Sequence, residues 1–486
     1  MSLRICVSLC LVGASALAAP DNVPTSQRDQ AARMVGAILV GGEAFKTLEE
    51  LSDRVGARVT TTPEYERAVK WAADRLRAAG IKEVRLEPFT MEHGWRRGAG
   101  RGRMLSPVER PLHLESAGWS LPTPAGGIRG ELAVVKDVTP AALDAQAESL
   151  RGKIVILDRP PPGKRRPYKQ ILMFLRSFER FKKAGAVAIL FAAPPESTAY
   201  NVVHTGNVSW GGKLSQLPTA FLGLEDSRML LRHLERGPVR VEVEFQNKTT
   251  GPVKVNSVVG ELRGTERPDE WILLGAHLDS WDLGTGSQDD GAGVAHVLEA
   301  ARVLAAAGPF KRSIRFALWG GEEQGLVGSS AYVRAHDAEL GKCVAVLNSD
   351  NGSGHPRGWK VQGRHDVEKA LRPIAKTLLV GLGADTVDDT LTYDTDHGPF
   401  LVEGVPAIDL LVDRSHYDEF IHRNSDTIDK VVEHELAEGA AVMAVTAYAL
   451  ADSVQPFAPR LDRAEVTELV KEESLDEFLR FIGIWK

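Results

Sequence analysis

Four short segments of the sequence carry carboxylates and imidazoles of the kind a metal centre could use. His277 and Asp279 stand in HLDSWDLGTGSQDDGAG, directly after the apolar run WILLGA, with Asp289 and Asp290 near the end of the segment. Glu322 and Glu323 follow SIRFAL in WGGEEQG, Asp350 ends NSD after CVAVL, and His422 lies in EFIHRNSDT, one loop beyond VPAIDLLV. Residues i and i+2 of an extended segment face the same side, so Asp279 is placed to accept the second ring N–H of His277 and fix its tautomer. The glycines that follow permit a tight return of the chain and deliver Asp289 and Asp290 to the start of a helix.

Taken singly, each segment has an ordinary explanation. Two Glu at a helix start complement its dipole, an Asp after a strand caps a helix, and an isolated His is a surface or satisfied core residue. Taken together they do not, because three carboxylates and two imidazoles would meet at one edge of a sheet. Without cations the carboxylates would repel and their pKa values would rise. Two divalent ions outweigh the charge of two Asp and one Glu, and the remaining positive charge favours a bound hydroxide. Mixed His and carboxylate ligation suits zinc. Ions about 3.5–4 Å apart polarise a carbonyl and generate hydroxide near neutral pH. One further carboxylate must then stay unligated to move the water's proton to a leaving amine. Two adjacent Glu supply one ligand and one base.

The elements that must position these groups follow a strand-then-helix rhythm from 255 to 452. NSVVGEL, WILLGAH, SIRFALWG, CVAVLNSD and VPAIDLLV read as strands. GAGVAHVLEAARVLAAAG, LVGSSAYVRAH, KALRPIAKTLLVGLG and HELAEGAAVMAVTAYALA read as helices. The expected fold is therefore α/β, a mostly parallel mixed sheet sandwiched by helices, with function beyond the carboxyl ends of its strands. Residues 63–80 place Ala68, Trp71, Ala72, Leu76 and Ala79 at helical spacing, and Gly80 closes the helix. An extended segment KEVRLEPF follows, and the basic, glycine-rich stretch 94–103 reads as a loop. From about 118 to 250 short apolar runs alternate with Gly and Pro punctuation, with two helical stretches near 168–184 and 225–235, which predicts a compact strand-rich insert.

The 486 residues allow two or three domains, and 43% hydrophobic with 26% charged residues excludes a disordered chain and a polytopic membrane protein. A net charge of −6 leaves no field to hold nucleic acid, and the run Lys164, Arg165 and Arg166 has no aromatic platform beside it. The N-terminus reads as a secretory signal peptide over 1–19, too short to span a bilayer. The expected mature protein is secreted or periplasmic, with no membrane attachment after cleavage. Its one remaining cysteine, Cys343, allows no internal disulfide.

HLDSWDLGTGSQDDGAG, WGGEEQGLVGS, NSD and HRNSDT resemble the signature of the co-catalytic zinc exopeptidases, the family that includes bacterial leucyl aminopeptidase and glutamate carboxypeptidase II. The extended first motif and LSDRVGARVTTTPEYERAVKWAADRL are most similar to the carboxypeptidase Q subfamily. The resemblance implies two Zn(2+) per chain, one held by His277, Asp289 and Asp350 and the other by Asp289, Glu323 and His422, with Asp289 as the bridge. It implies Glu322 as general base, Asp279 as the support of His277, and a cis peptide between Asp289 and Asp290. LRGKIVIL, KKAGAVAILF and LPTAFLGLEDSRMLLRHL resemble a protease-associated domain, so that 20–117 and 251–486 form the peptidase domain around the insert 118–250. The last thirty or so residues match nothing in the family pattern.

Tyr393 in YDTDHGPF is a candidate oxyanion donor, with Asp396 and His397 as possible supports or as parts of a turn ending at Pro399. Arg423 departs from the Thr the family often has, while His416 and Tyr417 read as pocket wall. The implied reaction is exopeptidase hydrolysis of dipeptides or short peptides by metal-bridged hydroxide, and the family's habit suggests a homodimer. Three alternatives stand beside it: an aminopeptidase on longer peptides, a single-zinc acyltransferase similar to glutaminyl cyclase, and a non-catalytic binding protein of the same fold.

Overall fold

The computed structural model describes residues 23–158, 167–193, 202–471 and 473–485. The expected leader, the Lys164–Arg166 run and the side chain of His416 lie outside them. Among the described residues no helix is long and apolar enough to cross a membrane.

The larger sheet has eight strands. From one edge to the other they are Glu83–Met91, Val253–Leu262, Arg312–Trp319, Arg267–His277, Cys343–Asn348, Ala407–Val412, Pro356–Lys360 and Thr386–Asp388. The four strands from Arg312–Trp319 to Ala407–Val412 run parallel, and antiparallel pairs join them to the flanking strands. Parallel strands buried on both faces need apolar residues on both. Arg267–His277 meets that demand: Ile272, Leu274 and Ala276 enter one core with the helices Ala292–Ala307 and Glu433–Ala451, while Trp271 and Leu273 enter a second core with Tyr332 and Phe400. The chain leaves Arg267–His277 first, then fills Arg312–Trp319 on one side and Cys343–Asn348 on the other. That reversal opens a crevice beyond the strand ends, where ligands bind in open α/β sheets.

A second eight-stranded sheet holds Arg110–Leu112, Gly100–Ser106, Arg240–Phe245, Ile128–Val135, Ile154–Leu157, Ala188–Phe191, Thr219–Leu222 and Leu114–Ser116 in that order. Three of these strands precede residue 118, the expected start of the insert, yet hydrogen-bond into this sheet. The reading of 94–103 as a loop is corrected here, since Gly100–Ser106 is a strand. Along it Gly102 and Met104 turn inward while Arg101 and Arg103 turn outward. A Cβ on Gly102 would lie 2.3 Å from Leu114 Cδ2, while Arg101 and Arg103 stand opposite Glu244 and Glu242 as cross-strand charge pairs. The helices Pro167–Ala184 and Leu224–Leu234 appear where expected, and a further helix, Pro140–Leu150, starts on a proline.

The C-terminal residues form two helices, Arg463–Lys471 and Leu475–Phe481. Phe478 packs its ring against Tyr168 of the insert and Trp210, with centroids 5.6 and 5.2 Å apart.

Candidate metal centre and active site

His277 is the last residue of its strand and is 1% exposed. Its Nε2 lies 3.1 Å from Asp289 Oδ1, 3.5 Å from Asp350 Oδ1 and 3.9 Å from Glu322 Oε2. On the opposite side, His422 Nε2 lies 2.9 Å from Asp289 Oδ2 and 3.1 Å from Glu323 Oε2. Asp289 thus presents one oxygen to each imidazole. The five side chains fall into two adjoining groups that could each hold a cation, and Asp290 also approaches the group of His277 and Asp350. Both oxygens of Asp290 are committed to backbone, accepting the N–H of His277 and of Gly293 at 3.0 Å. The Asp289–Asp290 peptide is cis, as the resemblance implies.

The donor set fits a pair of divalent ions. Asp289 Oδ2 and Glu323 Oε1 are buried without a hydrogen-bond partner, even though the former lies so close to His422 Nε2. A buried unpartnered polar atom costs about 1–3 kcal/mol, and a shared cation removes that cost. Two nitrogens with carboxylate oxygens is a zinc-type set. Burial pushes the Glu322 carboxyl well above its ordinary range, Asp350 and Glu323 push it further, and His277 opposes them. Glu323 is pushed up to about 7, chiefly by burial and against His422. Burial disfavours charge on His277, but Asp350 and Glu322 outweigh it and hold its pKa well up; Glu323 and Asp289 do the same for His422. Against burial, the two imidazoles pull Asp289 far down. Carboxylates this close together favour positive charge among them, which is the role a bound cation fills.

Asp279 is placed differently from the sequence expectation. The strand ends at His277, so the i, i+2 alternation stops there, and His277 Nδ1 meets the backbone carbonyl of Asp279 at 3.0 Å while the carboxylate is 3.7 Å away. That carboxylate accepts the Thr60 hydroxyl at 2.9 Å and the Glu322 N–H at 3.3 Å, and Thr60 Oγ1 accepts the Gly321 N–H at 3.0 Å. Asp279 and Thr60 together pin the turn that carries Glu322.

The sequence reading missed several other supports. Arg58, fully buried, donates to the carbonyls of Leu278, Thr285 and Gly286 and so laces the loop between His277 and Asp289. Asp426, in the same motif as His422, accepts the N–H of Gln288 at 2.6 Å and of Asp289 at 3.2 Å. Membership of HRNSDT was the one signal that could have pointed to it. His422 adopts φ 59°, is 23% exposed, and ties to the insert through its carbonyl, which accepts the Thr205 N–H at 2.8 Å. Arg97 holds Thr205 in turn, binding its Oγ1 at 2.9 Å while also bonding Ser116 and Asp282.

Tyr393 is buried in an apolar cluster with Leu326 and Phe478, and its hydroxyl has no hydrogen-bond partner. Asp396 and His397 therefore do not support that hydroxyl; the His397 carbonyl accepts the Leu401 N–H in the following turn. Tyr417 is pocket wall, with its hydroxyl 3.5 Å from Asp350 Oδ1, and Arg423 turns back to the Glu419 carbonyl. A cavity of about 460 Å³ opens on Asp289, Glu322, Glu323, Asp350 and His422, with an apolar wall from Ile171, Phe174, Leu175, Trp210 and Phe478. A larger groove of about 820 Å³ near the first helix has no carboxylate–imidazole cluster.

The model of peptidase family M28 matches residues 257–447. Carboxypeptidase Q of Mus musculus is 32% identical over 413 residues, covering 84% of this chain and 86% of that protein, and the Homo sapiens protein is 30% identical over 423 residues, covering 86% and 87%. The crystal structure of a peptidase M28 precursor from Shewanella amazonensis matches with a TM-score of 0.81 at 29% identity, covering 90% of this chain and 99% of that one. A zinc aminopeptidase from Bacillus subtilis shares the fold, with a TM-score of 0.66 at 23% identity over 87% and 98% of the two chains. With the sheet, the crevice and these similarities in agreement, the chain belongs to peptidase family M28.

Proposed function

We propose that this member of peptidase family M28 is an exported zinc exopeptidase that hydrolyses dipeptides or short peptides and carries two zinc ions per chain. The single observation behind this reading is that Asp289 offers one oxygen to His277 and the other to His422, while Glu322 stands beside them. His277, Asp289 and Asp350 would hold one ion; Asp289, Glu323 and His422 would hold the other. When bound, the ions polarise the scissile carbonyl and acidify the attacking water. Glu322 accepts the proton released as the water oxygen bonds to the carbonyl carbon, then passes it to the nitrogen as the C–N bond breaks. Asp279 and Thr60 hold the turn that aims Glu322. Export is assigned from the leader at 1–19, and relatives named carboxypeptidase favour a substrate cleaved at its carboxyl end.

The test is zinc content and dipeptide turnover of the wild type and Glu322→Gln. Two zinc per chain in both proteins, with kcat lowered by roughly 100-fold to 10,000-fold in the variant, is the expected result. A metal-replete variant with near wild-type turnover refutes the base, and one tightly held zinc per chain supports the acyltransferase alternative.

A further inference from the structure

The cavity beside the ligands is strongly acidic, lined by Asp289, Glu322, Glu323, Asp350, Asp394 and Asp409. Among its described lining residues, Arg414 is the one permanent cation. Its guanidinium is fixed from three sides. It lies 4.6 Å from the centroid of the Tyr417 ring, Nη1 bonds Asn351 Oδ1, and Nε and Nη2 reach Asp418 Oδ1 at 3.2 and 3.0 Å. Two of these partners lead back to the same candidate ligand, since Asn351 follows Asp350 in sequence and the Tyr417 hydroxyl approaches Asp350 itself. Asn351 is locked by Asp409 Oδ2 at 2.6 Å and the Leu410 carbonyl at 3.0 Å. Three of the five guanidinium N–H groups are used, which leaves one on Nη1 and one on Nη2.

The ion pair with Asp418 does not by itself account for this arrangement. The Asp418 side chain is 64% exposed, and ion pairs of that kind add little to stability. A carboxylate entering so acidic a cavity needs a cation, and a guanidinium held over an aromatic ring presents its donors in the fork that a carboxylate fits.

We propose that Arg414 is a specificity-determining residue that binds the α-carboxylate of the substrate's C-terminal residue, so that the site selects peptides with a free carboxyl end next to the cleaved bond. The inference rests on the exopeptidase reading above and deepens it.

The test compares Leu-Ala with its C-terminal amide, using zinc-loaded wild type, Arg414→Met and Arg414→Lys. Wild type is expected to prefer the free acid at least tenfold in kcat/KM. Arg414→Met should lower kcat/KM on the acid by about 10-fold to 100-fold, mostly through KM, and change the amide less than twofold, with Arg414→Lys recovering part of the loss. Calorimetric titration with alanine and alaninamide supplies a readout independent of turnover, the acid binding more tightly than the amide in wild type and equally in Arg414→Met. Equal losses on acid and amide, or a wild type indifferent to the carboxylate in both assays, overturn the proposal. Binding discrimination without hydrolysis would sink the exopeptidase reading and leave this assignment standing. Hydrolysis without discrimination would do the reverse.

Discussion

His277 and His422 face the same aspartate from opposite sides, yet they are held by different means. His277 ends a central parallel strand, is almost fully buried, and has its N–H and its Nδ1 both bonded to groups within its own loop. His422 sits on a loop in a left-handed conformation, is partly exposed, and depends on a backbone bond from the insert and on the Arg97 bridge behind it. One half of the centre is built into the sheet, and the other is assembled from two separate parts of the molecule. Ligand sites on rigid elements are more precise than sites on loops, so the two positions should differ in metal retention.

The largest expected effect is on metal content. His277→Ala should lose both ions and His422→Ala only one, each with turnover down by roughly 1,000-fold or more, read by elemental analysis after gel filtration. Equal metal loss would break the comparison. Asp279→Asn should keep both ions and lower kcat about 10-fold to 100-fold, because it disturbs the turn that carries Glu322 rather than a ligand. Arg97→Met should weaken the His422 position about 10-fold in a competitive chelator titration and leave the His277 position unchanged. An unchanged chelator curve would mean that the loop holds itself.

The smallest effect concerns acid stability on the strand side. His296 is fully buried, its ring lies 2.9 Å from Ser349 Oγ next to Asp350, and burial pulls its pKa down to about 4. The unfolded chain binds this proton first, so the contribution to stability is complete above about pH 6.5 and is lost as the pH falls toward 4. It is on the order of 3 kcal/mol at most. Thermal midpoints measured across that window should fall less steeply for His296→Gln than for wild type, and parallel curves would remove His296 from the account.

The candidate ligands were legible in the sequence because each follows an apolar strand or the loop beyond it, where the switch from apolar to charged residues is abrupt. The strand Gly100–Ser106 was not legible, since Gly and Arg carry no strand propensity and its register is fixed by glutamates far along the chain. Arg58, Thr60 and Arg97 were hidden for a related reason: many of their partners are backbone groups distant in sequence, and a carbonyl leaves no mark on residue type. Asp279 was placed in the right neighbourhood with the wrong contact, because periodicity holds only while the strand lasts. The C-terminal helices show an apolar face, but their partners lie in the insert and beside Tyr393, which no local pattern connects to them.

Phe478 closes the apolar wall from almost the last turn of the chain, well after every candidate ligand has been made. Every candidate ligand and the core helix Glu433–Ala451 thus precede in the chain the helix that gives the pocket its far side. A message truncated after Ala451 would keep every candidate ligand, Asp426 and the core helix, and would leave the cleft gaping on the side that selects.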